Sequence, residues 1–374
     1  MTMAEKKFLM GNEALGRAAR AAGAKAFYGY PITPSSEIMH FWAGEFTTEQ
    51  GKKDGLVFLQ AEDEIAAGFM LVGGVLAGLK SFTASAGPGH VLLQDAFSMA
   101  EAMRLPVVAY LMQRGGPSTS TVIYSQSEVN LACFGGNGNG FRVVYSPSTI
   151  QDLYDYGIKV FNTAWKHRFP TFLLGDGYLA KTMAEVELYT PAERGIAMVE
   201  PEAYLLEKNR KRPLAEIVPS PELEVREDGG VQYDCLRNCL NFEEETAAVN
   251  AEIMAAYAKA APEILEWENY GPTDAKTLIV AHGIVAAAAQ AAVDQSGGQA
   301  RLFRPITLQP FPLEELRKAA KGATKIIVAE SALNQLARFV KDALYGVTSA
   351  PLIEYGRPSM GILPEEIVGL ITAK

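Results

Sequence analysis

Strand-like and helix-like segments alternate along most of this 374-residue chain, and that alternation limits the fold more than any other feature. In the first half, runs rich in β-branched and aromatic residues (AFYGY, LVFLQ, KSFTASA, LPVVAYLMQ, FRVVYS and TFLLGD) are bounded by glycine or proline. Between them apolar residues recur at helical spacing, over roughly Asn12–Ala22, Ser35–Phe46, Asp63–Ala77, Val91–Met103 and Thr149–Trp165. Strands separated by crossover helices run parallel, and the helices cover both faces of the sheet.

From about residue 184 the pattern gives way to KNRKRPLAEIVPSPELEVREDGG, a charged, proline-containing stretch that reads as a linker, and then to a long helical pattern with an acidic start, NFEEETAAVN. Alternation resumes near Thr277 with TLIVAHG, RLFRPITL and KIIVAES. The expectation is an α/β protein with two doubly wound, mainly parallel-sheet domains: 1–183, then a linker and connecting helix over 184–270, then 271–374.

Composition narrows the function classes. With 48% hydrophobic and 21% charged residues the chain reads as a packed globule. It has no uninterrupted apolar run long enough to span a bilayer, and its start lacks a leader pattern, so a cytoplasmic protein is expected. A net charge of −9 offers phosphate backbones little, and nucleic acid is not expected as a partner. Of the three cysteines, Cys133, Cys235 and Cys239, the last two form a lone C-x3-C. They read as structural, because an iron–sulfur cluster needs about four thiolates and a zinc site two more ligands. No metal site is expected, so any electron acceptor sits on another chain.

Three glycine-rich stretches invite a nucleotide reading. FGGNGNGF (Phe134–Phe141) precedes a strand-like run where a dinucleotide fingerprint would follow one. GGVLAGLKS (Gly73–Ser81) has Leu79 between Gly78 and Lys80 and lies in a helical pattern, which suits close helix packing. LLGDGYLAK (Leu173–Lys181) has the GDG that opens the diphosphate-binding motif of thiamine enzymes but lacks the asparagine pair that closes it, so Asp176 reads as a strand-end turn residue.

In an open α/β sheet ligands bind beyond the carboxyl ends of the strands. PITPSSE, with Pro31 and Pro34 around Thr33, is a rigid turn or a ligand loop. AEDEIAAG puts Glu62, Asp63 and Glu64 at a helix start, where they either serve the helix dipole or carry proton chemistry. GPGH ends in His90, which reads as a first-turn surface residue. RGGPSTST presents Arg114 either for carboxylate or phosphate recognition or for a structural ion pair.

These loops occur in order with GNEALGRAARAAG before them and FRPITLQPFP and IIVAES after them, and the set resembles the α chain of the 2-oxoacid:ferredoxin oxidoreductases. The resemblance implies a thiamine pyrimidine-binding domain followed by a transketolase-C-terminal-like domain, with a β chain holding the diphosphate, magnesium and a 4Fe-4S cluster. It also implies gamma and ferredoxin-like delta subunits, coenzyme A as co-substrate, and ferredoxin or another electron acceptor. Glu64 matches the glutamate that bonds the aminopyrimidine, with Glu62 as an offset alternative. Thr33 matches the residue beside the reacting centre, and Arg114 the arginine that pairs with the substrate carboxylate. Tyr30, Pro31, Ile32, Gly87 and Pro88 would line the cofactor. The implied reaction is oxidative decarboxylation of a 2-oxoacid to an acyl-CoA and CO2. After GPST this chain departs from the family's usual text, with STVIYSQSEVN, so Tyr124 and Gln126 are candidates for the substrate side-chain pocket. Two rival readings are a non-catalytic assembly subunit and a nicotinamide-dependent dehydrogenase.

Overall fold

The computed structural model describes residues 5–122, 125–201 and 242–373. Tyr124, Cys235 and Cys239 lie outside them, and so do the readings placed on those residues. The strands, in chain order, are β1 (Glu5–Met10), β2 (Ala26–Gly29), β3 (Val57–Gln60), β4 (Ser81–Ser85), β5 (Val108–Gln113), β6 (Val143–Tyr145) and β7 (Thr171–Asp176). They continue with β8 (Met183–Leu188), β9 (Trp267–Tyr270), β10 (Thr277–Val280), β11 (Ala300–Pro305), β12 (Thr307–Gln309), β13 (Lys325–Glu330) and β14 (Leu352–Gly356).

They form a seven-stranded sheet, β12-β6-β7-β5-β4-β2-β3, a five-stranded sheet, β14-β13-β10-β11-β9, and a β1-β8 ribbon. Within the two large sheets every pairing is parallel except those of β12 and β9, each antiparallel at an edge. The α/β class with mainly parallel sheets is therefore what the chain forms. β5 and β7 are buried along all six residues, as unbroken apolar strands covered on both faces must be. An aromatic cluster seals one face: Phe82 meets Phe27 and Trp42 edge-on, each at 5.0 Å between ring centres, and Phe161 at 5.8 Å.

Three differences from the sequence pattern have physical causes. RLFRPITL is two strands in two sheets, because the chain turns after Pro305: β11 stays in the second sheet, while Ser146 N–H donates to Ile306 O at 2.7 Å and β12 joins the first. The helix expected from Val91 starts at Gly87, with Pro88 in its first turn where a missing N–H costs nothing, and a second helix runs over Gln94–Ala102. Trp267–Tyr270, inside the stretch read as linker and connecting helix, is an edge strand of the second sheet.

Candidate functional site

β5, β4, β2 and β3 are neighbours in the first sheet and all run the same way, so the loops after their carboxyl ends stand side by side. They carry Arg114, Gly87-Pro88, Tyr30-Pro31-Ile32-Thr33 and Glu64 respectively.

The three acids after β3 separate by task. Asp63 is the N-cap of helix Glu64–Leu76, accepting from Ala66 N–H at 2.8 Å, and Glu62 is exposed. Glu64 is 6% exposed, its side chain turned back against the GPGH loop. A β-carbon on Gly89 would stand 2.3 Å from Glu64 Oε1 and 2.4 Å from Ser85 Oγ, so only glycine lets the carboxyl lie there. Burial holds the Glu64 carboxyl above the ordinary glutamate value; its own N–H and the Arg114 guanidinium oppose this, and Asp63 adds to it.

Arg114 lies beneath the same loop, 5% exposed. Its Nη1 donates to Thr33 O at 2.9 Å, and its Nε has no partner. It makes no ion pair among the described residues, so the structural ion pair considered for it is not what holds it. Gly87 has φ +52°, and a β-carbon there would stand 2.5 Å from Arg114 Nε. Leaving a buried guanidinium without a counter-ion is expensive, and the usual return is an anionic ligand. Thr33 and Tyr30 are exposed at the sheet end, and Pro31 and Ile32 are half-buried beside them. The structure thus brings Thr33, Glu64, Gly87 and Arg114 into one place, and leaves Glu62 outside it.

Sequence reasoning missed the residues that hold these loops. Asn12, fully buried, donates from Nδ2 to Pro34 O at 2.6 Å and to Glu37 Oε2 at 2.7 Å, fixing the PITPSS turn from below. His90 corrects its surface reading: it is fully buried, with Nδ1 2.7 Å from Glu128 Oε2. Gln126, a candidate for the substrate side-chain pocket, is buried with its amide bonded to the second sheet. No local pattern marks Glu128, which reads as one more acid before a helix.

The glycine-rich stretches have packing roles. Gly138 lies against Glu101, which accepts Asn139 N–H at 2.7 Å and pairs with fully buried Arg142. Gly74 packs on Ser81 and Tyr28 inside helix Glu64–Leu76. Asp176 is buried and caps helix Gly177–Lys181, accepting from Tyr178 N–H at 3.0 Å and Leu179 N–H at 2.9 Å. It is a capping group through Oδ1, while its buried Oδ2 has no hydrogen-bond partner among the described residues. Among the described residues no cluster of three His, Cys, Asp or Glu is arranged to hold a metal ion, and no helix is long and apolar enough to cross a membrane.

Two mainly parallel α/β sheets, with the candidate loops gathered at one sheet end, give the chain a transketolase-like fold. A split-gene transketolase in an inactive tetramer superposes with a TM-score of 0.56 at 14% identity, covering 98% of this chain and 97% of that one. The family is narrower than the class. Residues 17–225 match the thiamine-diphosphate-binding family of pyruvate flavodoxin/ferredoxin oxidoreductases, and residues 275–359 match core domain II of pyruvate:ferredoxin oxidoreductase. The chain belongs to this oxidoreductase family. It is 32% identical to ketoisovalerate oxidoreductase subunit VorB of Methanothermobacter marburgensis, over 90% of this chain and 89% of that one. It is 33% identical to 2-oxoglutarate synthase subunit KorA of Methanocaldococcus jannaschii, over 88% and 89%. The fold also matches 2-oxoglutarate:ferredoxin oxidoreductase from Magnetococcus marinus, solved with 2-oxoglutarate, coenzyme A and succinyl-CoA bound, with a TM-score of 0.84 at 24% identity. That match covers 98% of this chain but only 65% of the other.

Proposed function

We propose that this chain is the pyrimidine-binding subunit of a CoA-dependent 2-oxoacid:ferredoxin-type oxidoreductase, active only when assembled with partner subunits. The assembled enzyme converts a 2-oxoacid to an acyl-CoA and CO2 and passes the electrons to ferredoxin or a similar acceptor. One observation carries the reading: a buried carboxyl, Glu64, near a buried guanidinium, Arg114, that makes no ion pair among the described residues, at the carboxyl ends of parallel strands in a member of this family.

The residues suit one half of thiamine diphosphate. Glu64, close against Gly89, offers a carboxyl of raised proton affinity to a ring nitrogen, and Tyr30, Pro31, Ile32, Gly87 and Pro88 supply wall and backbone around it. When bound, the cofactor supplies the nucleophilic carbon and the electron sink that decarboxylation requires. Glu64 holds and exchanges a proton at the pyrimidine, Arg114 orients the substrate carboxylate, and Thr33 borders the reacting carbon. On this reading the diphosphate, magnesium and 4Fe-4S clusters are carried by partners, a β chain with γ and δ chains completing the assembly; the described residues offer no metal-holding cluster of their own. The protein is then cytoplasmic and has two α/β domains divided over 184–270, except that β9 within that stretch joins the second sheet and β12 crosses back to the edge of the first.

The test is reconstitution. This chain, co-purified with a β partner, should reduce a viologen dye when given CoA and one of a panel of 2-oxoacids, and the chain alone should not. Turnover by the chain alone, or none by a complex that binds thiamine diphosphate, overturns the proposal.

A further inference from the structure

Arg114 and the GPGH loop share an anchor that plays no part in the chemistry described so far. Glu128 Oε1 accepts two backbone N–H groups, from Gly87 at 2.9 Å and from Arg114 at 2.8 Å. Its Oε2 lies 2.7 Å from His90 Nδ1, and because a carboxylate only accepts, that nitrogen carries the proton. Glu128 N–H in turn donates to Gln113 Oε1 at 3.1 Å. One carboxylate, 5% exposed, therefore sets the spacing between the residue after β5 and the loop after β4.

Two residues earlier, Gln126 ties the same segment to the second sheet. Its Nε2 donates to His282 O at 2.8 Å, its Oε1 accepts from Ser331 N–H at 2.9 Å, and its own N–H donates to Ser331 O at 3.1 Å. His282 and Ser331 follow the carboxyl ends of β10 and β13.

We propose that Glu128 is a positioning residue: it holds Arg114 and the Gly87-Pro88 backbone at their working separation, and Gln126 makes that placement depend on the docked second sheet. This rests on the function proposed above. A carboxylate suits the position, since two converging N–H donors and an imidazole N–H leave it three charge-assisted bonds without exposing it. Glutamine keeps an oxygen for the N–H pair, whereas alanine strands all three donors.

The experiment uses the assembled complex with Glu128→Ala and Glu128→Gln, read in two ways. Amide hydrogen exchange at Gly87 and Arg114 should accelerate in Glu128→Ala and stay slow in Glu128→Gln. The KM for the 2-oxoacid should rise about tenfold in Glu128→Ala with kcat changed less than about threefold, as loss of ground-state placement requires, and Glu128→Gln should restore it. In an Arg114→Ala background the Glu128→Ala change should cost less than about twofold, because residues acting as one unit are not additive. Exchange that stays slow in Glu128→Ala overturns the anchor. Faster exchange with unchanged KM, or the same fold-loss in both backgrounds, reduces Glu128 to a structural carboxylate. If Glu128→Ala does not assemble, Glu128→Gln still decides: fast exchange or a raised KM in it overturns the geometry claimed for Oε1. An Arg114→Ala complex with wild-type kinetics fails the function reading instead, and with it the route by which Glu128 acts.

Discussion

The carboxyl ends of the two sheets occupy the same place in the same kind of topology and are put to opposite uses. After β2 and β5 polar groups stay available: Thr33 and Tyr30 are exposed, and the Arg114 guanidinium donates to one peptide oxygen and makes no ion pair among the described residues. After β10 and β13 most are consumed, His282 Nε2 being left without a partner among the described residues. His282 is fully buried with Nδ1 2.8 Å from Ser146 Oγ, Ser331 is clamped by Gln126, and Glu330 accepts the N–H groups of Gln335 and Leu336. Strand ends in parallel sheets converge loops by geometry, but whether they make a site or a dock depends on what covers them. Here the segment 125–128 covers the second sheet end with Gln126 and, with Glu128, props the first one open.

The comparison breaks most sharply at Glu64. In the assembled complex Glu64→Gln should lower kcat/KM by about 10³-fold, the scale of a lost proton-transfer group, with thermal stability little changed, since glutamine keeps the side chain's size. Glu62→Ala should leave both unchanged, because Glu62 is exposed. Near-wild-type turnover by Glu64→Gln would leave the first sheet end with no more claim to chemistry than the second. Arg114→Ala comes next: loss of a charge-assisted carboxylate contact should cost about 10²-fold in kcat/KM, expressed mainly in KM. Equal losses for every 2-oxoacid in a panel are expected, since the carboxylate is common to all; a loss confined to one substrate would move Arg114 to a side-chain pocket.

The dock is sharpened by Gln126→Ala. The change strands His282 O and Ser331 N–H in a buried interface, which should cost about 2–4 kcal/mol in urea unfolding. A cost under about 0.5 kcal/mol would mean that the second sheet end is held by its apolar contacts alone.

How much of this was legible in the sequence follows the distance between partners. The strands and helices of both units show in local periodicity, and Thr33, Glu64 and Arg114 sit in short motifs at strand ends, where the fold class itself directs attention. The anchors are invisible for a definite reason: Gln126 meets Ser331 across 205 positions, and Glu128 meets His90 across 38. A glutamine or glutamate in a polar segment looks solvated until the topology brings in its donors. His90 misled in the same way, since one histidine after Gly-Pro-Gly has no local sign of burial. The split of RLFRPITL between two sheets was hidden because an apolar run does not say which sheet will receive each half.

Two buried groups near the dock make the smallest prediction and the one most dependent on sign. Burial raises the Asp176 carboxyl from 3.8 to about 6, against the N–H groups of Leu179, Ile284 and Tyr178, so the folded chain binds a proton more tightly than the unfolded chain. Its stability contribution is present below pH 4 and is lost as pH rises toward 6. Burial, with Arg304 adding to it, lowers the His282 imidazole from 6.5 to about 3, so its contribution is present above pH 6.5 and is lost as pH falls toward 3. Between about pH 4 and 6 the two slopes oppose each other, each approaching 1.4 kcal/mol per pH unit at most, so these two contributions largely cancel in the wild-type profile. Asp176→Asn keeps an oxygen for the helix cap but removes the carboxyl's slope, so stability should then fall on acidification through that window. His282→Asn should tilt the profile the other way. A His282→Asn profile that does not differ from wild type would mean that the histidine is not held neutral, and that the second sheet end is wetter than its geometry implies.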